Sequence, residues 1–547
     1  METASSPHEP PHKASRLARD SAIVGFATVL SRLLGFVRDI LVARALGAGP
    51  FADAFLVAFR LPNMFRRVLG EGGLNAPFIP VYMGLKAEEG EASARRFGGE
   101  AIGNFAAILL IIVGLSELIA PWLVLGLAGG FRDAPLTFAL AENYTRLALP
   151  FVGFTVLASL VAAILNADKR FAVAALGPIM LNIVLISSLL WNGYHDQPVF
   201  RIAKNLAWSV SLAGALHLLL LFWALGWKAP GIPRFSLGWS QPMRRLLKLG
   251  VPALLASATS QIVLLVATQI ASSQPGAVSW LYYADRIFQL PLGFVAVAMG
   301  VVLLPEIAAR EAAEDDAGRR ATVDGALSLG LILAIPAAVA LALLAEPIVS
   351  VLFERGRFGA VDREQTAAAL AAFAIGLPGA VIAKVLSQIY FARQNPGKPL
   401  LAGLASIGVA IVSGIALGGT MPATGAALAA SLAFWTQGLL LTLLVLRDRL
   451  WSPGGALLRQ VLAALVAAAA MGAALLFLGV EIRLALVAGQ AGLREFALLA
   501  ALCAAGLALY GVAAFALGAF RGGFGAEAGR HSARLADRAG RARAGEN

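Results

Sequence analysis

The chain has one cysteine in 547 residues, five histidines, and only 14% charged residues. A single cysteine, Cys503, excludes internal disulfides and any cysteine-rich metal centre, and it reads as a small buried apolar residue. The low charge stands against 59% hydrophobic residues and a mean hydropathy of +0.77. A soluble domain runs near half apolar and about a quarter charged, so that class is excluded. The apolar segments hold no histidine pair, Asp-rich run or nucleophile–base constellation, which argues against an enzyme acting on lipid phosphates. No metal or cofactor is expected. His217, on a Leu-rich segment with no second histidine to share a metal, reads as a packing residue. Residues 1–20 are polar and Pro-containing, and the first apolar run is too long for a signal h-region, so a disordered cytoplasmic leader without a cleavable signal is expected.

What is abundant is long apolar sequence. About fourteen stretches, each of roughly 20–30 residues, are long enough to cross a hydrocarbon core of about 30 Å. They run over 21–46, 51–85, 98–128, 138–165, 170–192, 200–226, 246–271, 277–308, 321–345, 363–392, 399–418, 421–446, 456–479 and 494–519. The expected fold is an all-α integral membrane protein. With the N-terminus placed in the cytoplasm, the cytoplasmic segments carry 27 Lys and Arg against 8 in the opposite loops. That bias puts both termini inside and requires an even number of crossings. It also accounts for the net charge of +12 without nucleic acid. The basic tail 520–547 reads as a topology anchor touching anionic membrane lipids.

A weak internal repeat organises the spans. Phe59-Arg-Leu-Pro62 returns as Phe288-Gln-Leu-Pro291, Leu149-Pro150 as Leu377-Pro378, and Pro80 as Pro305, all at a nearly constant spacing. Two six-span halves follow, 21–228 and 242–446, with 456–519 as an appended pair outside the repeat. An even number of spans per half keeps both copies in one orientation, the parallel-repeat arrangement with a substrate site between halves.

The charges that remain inside the spans carry the functional signal. Arg32, Arg38 and Arg286 lie deep in apolar runs; a guanidinium there costs from about 3 to more than 10 kcal/mol. Counted from residue 21, Arg32 is ~16 Å deep. A buried site for an anion explains the cost, and all three cations being Arg suits a diphosphate, which planar guanidiniums bind bidentately. On a straight helix Arg32 and Arg38 point about 120° apart; a bend at Gly35 would turn both toward one cavity. Asp39 beside Arg38 and Asp285 beside Arg286 raise the alternative of self-neutralised structural pairs, which is disfavoured because adjacent helix residues do not face each other. Arg67 and Glu71, spaced i,i+4, fit a salt bridge as well as a substrate contact. Asp53 and Arg44 fit ordinary charges near the outer face, and Lys384, mid-span, is expected to face a cavity.

Several ordered motifs resemble one family, the MurJ/MviN lipid II flippases. They are Ser31-Arg-Leu-Leu-Gly-Phe-Val-Arg-Asp39, Asp53-Ala-Phe-Leu-Val-Ala-Phe-Arg-Leu-Pro-Asn-Met-Phe-Arg-Arg67 with Glu71-Gly, Val278-Ser-Trp-Leu-Tyr-Tyr-Ala-Asp-Arg286, Leu352-Phe-Glu-Arg-Gly-Arg-Phe358 and Tyr390-Phe-Ala-Arg-Gln-Asn395. The resemblance implies a flippase, not an enzyme, moving undecaprenyl-diphosphate-linked peptidoglycan precursor outward across the bacterial inner membrane. Arg32, Arg38 and Arg286 would engage the diphosphate. Asp39, Asp53, Arg66, Arg67, Glu71 and Lys384 would be charges tied to transport, with Asp285 grouped among them, and the cell-wall synthesis and division machinery a candidate partner. One departure stands out: where many members carry an acid four residues after the Asp-Arg pair, this chain has Gln289. The spans 246–271 and 399–418 also hold no Asp or Glu, so a carboxylate-built sodium site in the second half is not expected. A flippase for another polyprenyl-linked glycan shares the same physics. A MATE-like drug or cation exporter would instead need buried carboxylates in place of buried arginines.

Overall fold

The computed structural model describes residues 11–68, 75–168, 170–226, 238–393, 395–477 and 492–520. Every regular element among them is a helix, as expected where hydrocarbon forces each backbone N–H and C=O to be satisfied within its own segment. The chain divides into two compact units, Met1–Gln261 and Ile262–Asn547. The first contains α1 (Pro11–Leu46), α2 (Pro50–Val68), α3 (Asn75–Glu88), α4 (Glu91–Leu118), α5 (Ala120–Leu127), α6 (Pro135–Ala148), α7 (Pro150–Ala167), α8 (Phe171–Ala174), α9 (Gly177–Tyr194) and α10 (Val199–Leu225). Helix α11 (Gln241–Ala271) carries the chain past the division. The second unit continues with α12 (Ala277–Ala312), α13 (Asp316–Leu343), α14 (Ala345–Phe353), α15 (Ala360–Ala392), α16 (Gly397–Gly418), α17 (Pro422–Arg447), α18 (Gly455–Phe477) and α19 (Leu493–Ala516).

Among the described residues, ten helices are long and apolar enough to cross a bilayer, and α6 with α7 count as one of them. Each overlies one of the expected spans; α2 does not meet that criterion. For α2 the reason is visible in its sequence: Asp53, Arg60, Arg66 and Arg67 crowd a 19-residue helix. Several expected spans are two helices in series. Pro121 and Pro150 sit at the starts of α5 and α7, where a missing N–H is tolerated and where the preceding helices α4 and α6 have ended.

Packing follows the same neighbour scheme in both units. In the first, α2 lies on α6, α7 on both α4 and α10, and α9 on both α1 and α10. In the second, α12 lies on α15, α15 on both α13 and α17, and α16 on α17, with Ile270 of α11 set against Gly414 and Gly418 of α16. The α15–α17 seam is close enough that Ser431 Oγ donates to the Ala372 carbonyl at 2.7 Å, the use of small residues that lets helices pack where no hydrophobic drive separates protein from lipid. The pair α18–α19 is fastened to α13: Ser328 Oγ donates to Gln460 Oε1 at 2.6 Å and Tyr510 OH to the Ile332 carbonyl at 2.7 Å. The turn before α18 is also pinned, by Trp451 Nε1 donating to Asp324 at 2.8 Å and Arg320 to the Ser452 carbonyl at 2.8 Å. At the end of α17, hydrogen bonds from Lys398 and Tyr390 hold the Asp448 carboxyl below the usual carboxylate range.

The outward faces are apolar, as on α4 (Leu110, Leu118), α16 (Val412, Ile415) and α19 (Val512, Phe515). Cys503 also lies exposed on α19, not buried as its residue type led us to expect; on a helix flanked by lipid rather than water, a small apolar side chain gains nothing by facing inward. His217 does pack, its ring so close to Gly177 that a Cβ there would lie 2.5 Å from Cε1.

Candidate functional site

In the first unit the α1 arginines occupy different environments. Arg32 is exposed, whereas Arg38 is 5% exposed and Asp39 1%, the divergence expected for residues about 120° apart on a helix assigned without interruption through Gly35. The Arg38 guanidinium donates from Nε and Nη2 to Asp39 Oδ1 at 3.0 and 2.7 Å and from Nη1 to Asn182 Oδ1 at 3.0 Å. Asn182, on α9, in turn donates from Nδ2 to the Ser31 carbonyl at 2.9 Å. The guanidinium also sits 5.3 Å above the Phe59 ring of α2, an electrostatically favourable cation–π placement. Spacing alone argued against an Arg38–Asp39 pair. The pair forms because the long Arg side chain folds back around its own helix, which Cβ directions do not register.

On α2, Asp53 is fully buried, so it is not an ordinary boundary charge, while Arg44 on α1 is exposed. Arg66 is half-buried and donates to Asn63 Oδ1 at 2.8 Å. Arg67 lies in the last turn of α2, and Glu71 falls outside the described residues.

In the second unit, α12 holds Asp285, 4% exposed, beside half-buried Arg286. Here the adjacent acid is engaged by Gln289, whose Nε2 donates to Asp285 Oδ2, and Asp285 Oδ1 has no hydrogen-bond partner among the described residues. Arg286 lies 5.8 Å from the centre of the Tyr282 ring. The start of α12 is braced from outside: Trp280 Nε1 donates to Asp362 Oδ1 at 2.9 Å, and Tyr283 packs on Phe353 and Phe358 at 5.1 and 5.5 Å. Glu354 of the same turn accepts from Arg363 at 2.9 Å and from Ser350 at 2.7 Å. The motifs around residues 352–358 and 390–395 are therefore framework around α12 and α15, with Tyr390 OH donating to Asp448 at 2.8 Å. Lys384 is exposed on α15.

Asn182 and the two rings, Phe59 and Tyr282, are the contacts that sequence reading missed. An amide within the apolar α9 was the available signal for Asn182, since polar groups at membrane depth are retained for a partner.

Helical units of this kind, with basic side chains on α1 and α12, define a multi-pass membrane protein of transporter fold. The fold is shared with an inward-facing multidrug resistance MATE family transporter of the MOP superfamily, at TM-score 0.64 and 15% identity over 77% of this chain and 94% of that one. It is also shared with the solved structure "Lipid II flippase MurJ, inward closed conformation", at TM-score 0.74 and 24% identity over 91% and 99%. The family model described as "Lipid II flippase MurJ" matches residues 42–526. A Rhizobium meliloti (strain 1021) protein named "Probable lipid II flippase MurJ" is 37% identical over 92% of this chain and 94% of its own. The Burkholderia cenocepacia protein named "Lipid II flippase MurJ" is 34% identical over 72% and 75%. The chain belongs to the MurJ family.

Proposed function

We propose that this protein moves lipid II, the undecaprenyl-diphosphate-linked peptidoglycan precursor, from the cytoplasmic to the periplasmic leaflet of the inner membrane by alternating access. The observation that carries the reading is family membership along nearly the whole chain, joined to arginines retained on otherwise apolar helices in both units. In this reading the halves are 21–228 and 242–446, both termini are cytoplasmic, and Arg32, Arg38 and Arg286 receive the diphosphate. The matching neighbour schemes of the two units support the repeat. The polyprenyl tail stays in hydrocarbon throughout, so only the sugar–peptide head needs a wet path. Asp39, Asp53, Arg66, Arg67, Glu71, Asp285 and Lys384 are the charges proposed to hold or release that path. Arg38 would pass from Asp39 to phosphate, exchanging one charge-assisted partner for another.

Depleting the protein in its host and identifying the lipid-linked precursor that accumulates on the inner leaflet tests the substrate. Lipid II is the expected product; accumulation of a different polyprenyl glycan would replace the assignment. Arg32→Ala and Arg286→Ala are expected to abolish complementation with membrane protein levels unchanged, and Lys at either position to restore it partly, because an ammonium lacks the bidentate fork.

A further inference from the structure

Asn182 is a buried polar residue to which the transport reading gives no role. It lies on α9, 5% exposed, and both ends of its amide are used: Nδ2 donates to the Ser31 carbonyl at 2.9 Å, and Oδ1 accepts from Arg38 Nη1 at 3.0 Å. Ser31 and Arg38 are two turns apart and share a face of α1. A helical side chain leans toward the N-terminus of its own helix, so the Arg38 guanidinium reaches back to where one residue of α9 touches both. The Ser31 carbonyl takes only a donor. It therefore fixes which end of the amide turns to the guanidinium, and the end that remains is the acceptor a guanidinium needs.

Arg38 is shared unevenly between its two side-chain partners. Nε and Nη2, the two donors along one edge, both go to a single oxygen of Asp39, Oδ1, at 3.0 and 2.7 Å, whereas Asn182 takes only Nη1. A guanidinium edge with two parallel donors is the fork that grips a phosphate bidentately. Asn182 leaves that edge alone. Being neutral, it also orients the cation without cancelling its charge, whereas a carboxylate at this position would set a second anion against the incoming phosphate.

We propose that Asn182 is a positioning residue for the diphosphate. It keeps the Arg38 guanidinium fixed through Nη1 while the Nε–Nη2 edge passes from Asp39 to phosphate, so the cation is presented without the side chain swinging away. This rests on the reading above in which Arg38 receives the diphosphate.

The test measures binding of undecaprenyl diphosphate to the full-length protein in detergent, with undecaprenol as the uncharged control, and records Tm for each variant. Asn182→Leu loses a hydrogen bond to a charged group, so its affinity for the diphosphate is expected to fall about tenfold or more, with undecaprenol binding unchanged. Asn182→Asp keeps an acceptor on Arg38 and carries the test if Asn182→Leu does not fold. It should hold the guanidinium between two carboxylates and weaken the diphosphate at least as much. Asn182→Asp/Asp39→Asn, with one carboxylate again, should bind the diphosphate more tightly than Asn182→Asp alone. Diphosphate affinity kept in the single variants, whatever their Tm, or equal losses for diphosphate and undecaprenol, would overturn the proposal and leave Asn182 a tie between α9 and α1. A double variant no better than Asn182→Asp would overturn it as well. Wild type that binds no diphosphate would instead overturn the assignment of Arg38 as the receiving group, and the proposal with it.

Discussion

Arg38 shows how a guanidinium proposed to receive substrate can also be a structural group. Three of its nitrogens already face Asp39 and Asn182, so removing it takes an ion-pair partner from a buried carboxylate, and breaking a buried pair typically costs about 3–5 kcal/mol. Arg38→Ala is therefore expected to lower the amount of folded protein as well as activity, unlike exposed Arg32→Ala. The double variant Arg38→Ala/Asp39→Asn removes the carboxylate charge as well, so it should recover membrane levels, measured by fluorescence-detected size exclusion, without recovering growth. Recovery of growth in the double variant would mean that Arg38 serves only the fold. The arginines themselves were legible because a cation in an apolar run has no ordinary reason to be there. Their partners were not: Asn182 lies 144 residues from Arg38, and the Arg38–Asp39 contact depends on side-chain flexing that a rule about helix spacing ignores.

At the scale of elements, close helix approach sets what the fold tolerates. A Cβ on Gly379 would lie 2.9 Å from the Trp435 Cα, and one on Gly376 2.7 Å from the Ser431 Cα; neither backbone can retreat without opening the α15–α17 seam. Gly379→Ala should lower Tm, with a cost of about 1–3 kcal/mol typical of overpacking. Gly408→Ala on α16, with open space around it, should be neutral or slightly stabilising. Equal Tm changes for the two would show that the seam yields. The turn after α17 gives a pH test. Because hydrogen bonds hold Asp448 below the ordinary carboxylate range, its contribution is present above that range and is lost as pH falls through the lowered value. Wild type should lose more stability there than Asp448→Asn does over the same interval. Length and hydropathy were enough to locate most of these helices. Breaks within spans were harder, since Pro150 ends one helix and starts another whereas Pro336 and Pro378 lie inside continuous ones; surrounding helices, not the proline alone, decide which occurs.

For the whole molecule the question is what drives an anionic headgroup outward. If the halves alternate access, a cysteine pair joining the outer ends of spans 51–85 and 277–308, with Cys503 replaced, should block growth when oxidised and release it on reduction. The source of free energy is a separate matter. With the inside negative, each substrate charge carried outward gains about 2.3 kcal/mol per 100 mV, provided the arginines stay with the protein rather than travelling with the phosphates. Carboxylates suited to binding a coupling cation are scarce in the second half: spans 246–271 and 399–418 contain none, and position 289, a neutral Gln, hydrogen-bonds Asp285. Flipping is thus expected to follow membrane potential more than a sodium gradient. Potassium ionophore treatment should reduce surface exposure of lipid II, and replacing external sodium with potential held constant should not. Loss of exposure on sodium removal alone would require an ion site built from other groups, and Asp285, buried with one oxygen unpartnered among the described residues, would be the first residue to substitute.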